Sequence, residues 1–151
     1  MAVFTFSFFR MFPVPISYPP ILVSSVLYMG LGMVWYGPLF QKSWVKLNGI
    51  EIPTDKNKMK EMQKKAIPAY VVSFVFSLIT AGMLGFFTRY MGAIGPLDGA
   101  LVGFLCWLAF AGPHYLTICM YTQKPLKLWA IDSGYFLVSL MMMGAIMASW
   151  K

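Results

Sequence analysis

The chain predicts an all-α fold: a polytopic membrane protein built as a four-transmembrane-helix bundle. Three observations carry this expectation. Four stretches, Met11–Gln41, Ala66–Thr88, Gly99–Gln123 and Ser133–Trp150, contain no Asp, Glu, Lys or Arg. A helix needs about 20 apolar residues to cross a hydrocarbon core roughly 30 Å thick, and these stretches reach or approach that length. Over the whole chain of 151 residues, 59% are hydrophobic and 11% charged, where a soluble domain carries about 25% charge. The third observation is that the basic residues fall unequally on the two sides of such a bundle.

The N-terminal tail, residues 1–19, is aromatic (Phe4, Phe6, Phe8, Phe9, Phe12) and interrupted by Arg10. It lacks the leading charge and small-residue cleavage site of a signal peptide. Residues 20–151 form the transmembrane domain. Its first span is expected at about 21–40, opened by Pro19 and Pro20, which a helix tolerates in its first turn. Trp35 and Tyr36 near its far end suit the headgroup layer, and Gly37-Pro38 ends or bends the helix.

Residues 41–65 make a basic cytoplasmic loop, in which seven lysines oppose Glu51, Asp55 and Glu61. Thr54 is in position to cap a short helix with Met59, Met62 and Ala66 on one face. Such a helix either lies on an anionic membrane surface or is a solvated turn leading into the second span.

The second span, about 67–88, carries Ser73, Ser77, Ala81 and Gly85 at strict i+4 spacing. Small residues on one ridge let helix backbones approach closely in lipid. This stripe marks the helix against which others pack. The third span, about 97–121, contains the small pair Gly99 and Gly103 and is interrupted by Gly112-Pro113, where the proline frees a carbonyl one turn earlier. The fourth, about 126–150, repeats the small spacing at Gly144 and Ala148.

Counting Lys and Arg by side places loop 41–65 and the turn at 122–127 in the cytoplasm and both termini outside. This asymmetry also accounts for the net charge of +7. No zinc-finger, RNA-binding or helix-turn-helix signature accompanies the charge, so nucleic acid is not an expected partner. The expected surroundings are the lipid bilayer, with a homo-oligomer or a membrane partner as a further possibility. Cys106 and Cys119 share the third span, about 20 Å apart on one helix, too far for a disulfide.

Two blocks of sequence stand out from mere hydrophobicity: Trp35-Tyr36-Gly37-Pro38-Leu39-Phe40 with Lys42 and Trp44, then Lys124-Pro125-Leu126-Lys127-Leu128-Trp129 with Ile131-Asp132-Ser133-Gly134-Tyr135. With Met143 to Ile146 and Trp150, these blocks make the chain resemble the family filed as "domain of unknown function 1761" over about residues 20–151. The resemblance implies a four-span protein, mostly bacterial or archaeal, which suggests the cytoplasmic (inner) membrane of a prokaryote. It implies no activity.

Asp132 is the sharpest candidate for chemistry. It lies about two turns into the fourth span, where an acid is costly and faces a partner, a cavity or an ion path. Counting outward from the turn between the third and fourth spans brings His114 to nearly the same depth, so a His114–Asp132 pair is available. Tyr135 is one turn beyond Asp132 on the same face. With Trp35 and Tyr36 at similar depth, these residues compose a candidate intramembrane polar site. One His and one Asp are too few ligands for zinc, so no metal and no cofactor are expected. No nucleophile motif and no phosphate-binding loop appears, so no catalytic residue is assigned and the chain is read as a non-enzyme. Two functions follow: a protein acting through helix packing and oligomerisation, or a small transporter or channel subunit with a proton or cation site at Asp132 and His114.

Overall fold

The computed structural model describes residues 17–53 and 55–150. Residues 1–16 of the aromatic tail, with Arg10, the expected cap at Thr54 and Lys151 lie outside the described residues, whereas Tyr18 and Pro19 at the end of that expected tail already belong to the first helix. Six α-helices follow in order: α1 Tyr18–Val34, α2 Gln41–Leu47, α3 Lys56–Tyr90, α4 Pro96–Cys106, α5 Gly112–Tyr121 and α6 Leu126–Ser149. Two five-residue π turns join them: Trp35–Leu39 follows α1 and is kinked at Gly37 (φ −94°, ψ −107°), and Trp107–Ala111 fuses α4 to α5. Four helical units are therefore long and apolar enough to cross a membrane: Tyr18–Leu39, Lys56–Tyr90, Pro96–Tyr121 and Leu126–Ser149.

α3 starts earlier than the charge pattern suggests. Asp55 caps it by accepting a hydrogen bond from the Asn57 backbone N–H at 2.8 Å. The helix then runs unbroken through the lysine-rich segment and past Pro68. Residues 56–66 form no separate helix; they are the first turns of α3 and continue directly into the second span. At the other end the chain reverses through residues 91–95. Gly92 (φ +67°) and Gly95 (φ +85°) adopt left-handed conformations that favour glycine there. Asp98 accepts from the Ile94 N–H at 2.9 Å, which closes this turn locally; it forms no ion pair with Arg89 among the described residues.

Small residues share the interior with a few large apolar ones, Leu84, Leu128 and Met143 among them, while many other large apolar side chains point outward. Ala81, Ser24, Ser25, Ser133 and Ser139 are fully or almost fully buried, whereas Leu22, Val26, Phe76, Leu101, Phe110 and Val138 are exposed. A soluble bundle has the opposite arrangement. On α3, Ser77, Ala81 and Gly85 are all buried, and Ala81 packs with Leu84, Val102 and Met143. The small-residue stripe thus packs against α1, α4 and α6 of its own chain. Only Ser73, at its beginning, stays partly exposed.

α4 and α6 make the tightest pairing. A Cβ on Gly99 would run into the Gly144 carbonyl and come within 2.7 Å of the Ala148 Cβ; one on Gly103 would strike the Leu140 carbonyl. The two small-residue pairs read from the sequence therefore meet each other across one helix crossing.

Candidate functional site: an aspartate held by aromatic donors

Asp132 lies near the end of the bundle where α1 ends and α6 begins. Three side chains from three different elements donate to its carboxylate. Trp44 Nε1, on α2, reaches Oδ1 at 2.9 Å. Tyr36 Oη, in the first π turn, donates to the same oxygen at 3.1 Å. Tyr115 Oη, on α5, donates to Oδ2 at 2.7 Å. Ionised carboxyl oxygens offer about four acceptor sites, so Oδ2 retains room for another donor. Asp132 is itself partly exposed. No ion pair engages it among the described residues, and there no three His, Cys, Asp or Glu side chains gather as metal ligands.

Indole N–H groups fix the helices around this carboxylate. Trp35 Nε1 donates to the Ile131 carbonyl at 2.9 Å. Trp107 Nε1 donates to the Ser133 carbonyl at 3.0 Å and to Ser133 Oγ at 3.1 Å. The backbone residues on either side of Asp132 are thus each gripped by a tryptophan, and each of these tryptophans begins a π turn. Trp129 Nε1 donates to the Gly112 carbonyl at 3.1 Å. Gly112 has no Cβ to obstruct the Trp107 ring, whose Cζ2 would lie 2.6 Å from one. Four of the five tryptophans therefore direct their N–H groups into this region.

The π turns have local causes. Each is associated with a Gly-Pro pair, and proline lacks the N–H that would continue an α-helix. Instead Phe40 donates to the Trp35 carbonyl and Gly112 to the Trp107 carbonyl, five residues back in each case. π turns of this kind cluster at functional sites.

Of the residues expected to form the site, Trp35, Tyr36, Asp132 and Tyr135 come together. The Tyr135 ring lies 5.2 Å from that of Tyr36 and 6.3 Å from that of Trp35. Its hydroxyl, however, donates to the Tyr28 carbonyl at 3.1 Å and not to Asp132. Gly32 leaves space for it: a Cβ there would sit 3.1 Å from Tyr135 Oη. His114 is not brought in. Its side chain is exposed, and Tyr115, the next residue, contacts Asp132. The reason is phase. Seven residues of regular α-helix from Trp107 lead to His114 on the inner face, but the π turn inserts one extra residue. A residue of α-helix is worth about 100° of rotation, so the inner position passes to Tyr115.

Sequence reasoning also missed Trp44 as a ligand of Asp132, because it stands in what reads as a polar loop. Its spacing of eight or nine residues from Trp35 and Tyr36 was the available signal. Beyond Tyr135, the polar line continues along the α1–α6 seam. Ser139 lies one turn farther on α6 and Ser24 one turn before Tyr28; both are fully buried, and neither Oγ has a hydrogen-bond partner among the described residues.

Beside the hub, a cleft of about 420 Å³ opens between α1 and α3. Tyr28, Tyr36, Gln41, Tyr70 and Ser73 are among the residues that line it, and Tyr135 reaches it from α6.

Fold and site together define a four-helix bundle of membrane-spanning dimensions with a carboxylate–aromatic hub near one end. The family model described as "Protein of unknown function (DUF1761)" matches residues 19–148. The chain belongs to that family. No curated protein and no solved structure matches it.

Proposed function

We propose that this chain is a non-catalytic integral membrane protein that handles a proton or small cation at Asp132, as a subunit of a transporter or channel. The carrying observation is a carboxylate inside a span-length helix, held by three neutral donors and no cationic partner among the described residues. A buried or half-buried charge is usually paired. Here the hydrogen bonds fix the geometry while the negative charge stays available to a mobile cation. The part-exposed carboxylate and the remaining acceptor site on Oδ2 support the same reading.

The leading expectation from the sequence, action through helix packing with a second copy or a membrane partner, rested on the α3 stripe. That stripe is largely occupied within one chain, which favours the reading at Asp132 over it. A transport pathway still calls for an assembly, because four helices leave little room for a complete path. The lysine asymmetry supports an orientation with loop 41–65 in the cytoplasm and both termini outside.

The test is Asp132→Asn in proteoliposomes loaded with a pH-sensitive dye. Asn keeps the side chain's size and one acceptor oxygen. The expected outcome is loss of proton flux, with helical content by circular dichroism unchanged. Equal flux from wild type and variant sinks the proposal.

A further inference from the structure

We infer that the tyrosine cleft between α1 and α3 is a binding site for a substituted ammonium group. This rests on the reading of Asp132 as a cation centre and names the chemistry that the neighbouring cleft selects. The inference begins with where the phenol protons go. Tyrosine has one O–H to donate. Tyr36 commits its proton to Asp132 Oδ1, and Tyr135 commits its proton to the Tyr28 carbonyl. Both are cleft-lining residues. What these two phenols can offer a ligand is therefore oxygen lone pairs, not O–H donors.

The remaining lining points the same way. Tyr28, Tyr36, Tyr70 and Tyr135 bring four aromatic rings to one cleft, and no Lys, Arg or His lines it. Aromatic faces attract cations, and cages of such rings recognise quaternary ammonium groups. Tyr36 Oη lies 3.1 Å from Asp132 Oδ1. A cation in contact with that phenol oxygen sits about 6 Å from the carboxylate, within the range over which an opposite charge acts. An anionic ligand meets no Lys, Arg or His in the cleft and has a carboxylate close beside it. A volume of about 420 Å³ lies within the roughly 300–1,000 Å³ of small-molecule sites.

The shared chemistry has two sources, the headgroup of a lipid and a free organic cation. The experiment uses the full chain in nanodiscs with benzyltrimethylammonium as probe, read by equilibrium dialysis. The probe's neutral isostere, neopentylbenzene, is the comparison. Tyr70 is 58% exposed and is not among the described donors to Asp132, so Tyr70→Leu leaves those hydrogen bonds in place. The expected results are binding of the ammonium at least about tenfold tighter than the isostere, and a rise of about tenfold in Kd on Tyr70→Leu. With the binding of protein-free discs subtracted, probe binding in phosphatidylglycerol discs that disappears in phosphatidylcholine discs identifies a lipid headgroup as the occupant. Retention in both identifies a free solute. Either result supports the ammonium site. Equal binding of probe and isostere, unchanged affinity in Tyr70→Leu, or no binding in either disc overturns it. These outcomes are distinct from the Asp132→Asn flux result: a failed cleft leaves the hub reading standing, and an unaffected flux removes the hub reading directly.

Discussion

Each oxygen of the Asp132 carboxylate is supported differently, and this gives the hub a testable asymmetry. Oδ1 accepts from two donors, Trp44 Nε1 and Tyr36 Oη, whereas Oδ2 accepts only from Tyr115 Oη. Removing Tyr36's hydroxyl leaves Oδ1 with an indole donor. Removing Tyr115's leaves Oδ2 with none. Hydrogen bonds between helices in lipid average about 0.6 kcal/mol, and bonds to charged groups reach roughly 1.5–3 kcal/mol. Tyr115→Phe is therefore expected to cost about 1–2 kcal/mol in denaturant unfolding from mild detergent, and Tyr36→Phe less. If the order is reversed, Oδ2 is supported by something other than Tyr115. The same logic explains why a tyrosine serves at this position. A hydroxyl at 2.7 Å satisfies the carboxylate without neutralising it, which a protonated histidine would do.

At the scale of elements, the bundle depends on two kinds of close approach that respond differently to added bulk. Between α4 and α6 the obstacle is backbone: the space beside Gly103 is filled by the Leu140 carbonyl and, at 2.8 Å, the Met141 Cα. Beside Gly85 on α3 it is the flexible methyl end of Met147. Gly103→Ala is expected to force the helix pair apart and lower stability by roughly 1–3 kcal/mol. Gly85→Ala is expected to be nearly neutral, because a methionine end can swing aside. Thermal unfolding of the two purified variants separates these outcomes, and similar losses for both would show that the Met147 side chain is locked. The π turns are a second element-scale device. The extra residue in Trp107–Ala111 lets Gly99 and Gly103 face α6 while Tyr115, beyond the turn, still faces Asp132. Deleting Ala109, which is exposed and loses little packing, is expected to remove the inserted residue and leave a regular helix in which Tyr115 stands seven residues from Trp107, so that its hydrogen bond to Asp132 is kept and His114 stays on the outer face. Unfolding from mild detergent close to that of the wild type checks this; a loss as large as that of Tyr115→Phe rules it out.

For the whole molecule, much of the fold was legible because lipid-scale hydrophobicity is written in continuous runs. The four span-length helices fall close to the uncharged stretches, with Tyr18–Leu39 expected at 21–40 and Leu126–Ser149 at 126–150. Asp132 was legible as the centre of the site because charge within a span is conspicuous. Three features were not. Lysine content marked residues 56–65 as a loop, but helix propensity and the Asp55 cap carry α3 through them. The partner of the Ser73–Gly85 stripe could not be read, because spacing alone does not distinguish a helix of the same chain from one of another. The exchange of His114 for Tyr115 could not be read, because counting outward from the turn gives a residue's depth in the bundle and not the face of the helix it occupies. The early start of α3 has a mechanical consequence. At 1.5 Å per residue, its 35 residues make a rod about 52 Å long, well beyond the roughly 30 Å of a hydrocarbon core. Its lysine-bearing end and its buried Ser77–Gly85 seam belong to one continuous lever, so a force applied to the basic end is delivered to the middle of the bundle without an intervening loop to absorb it.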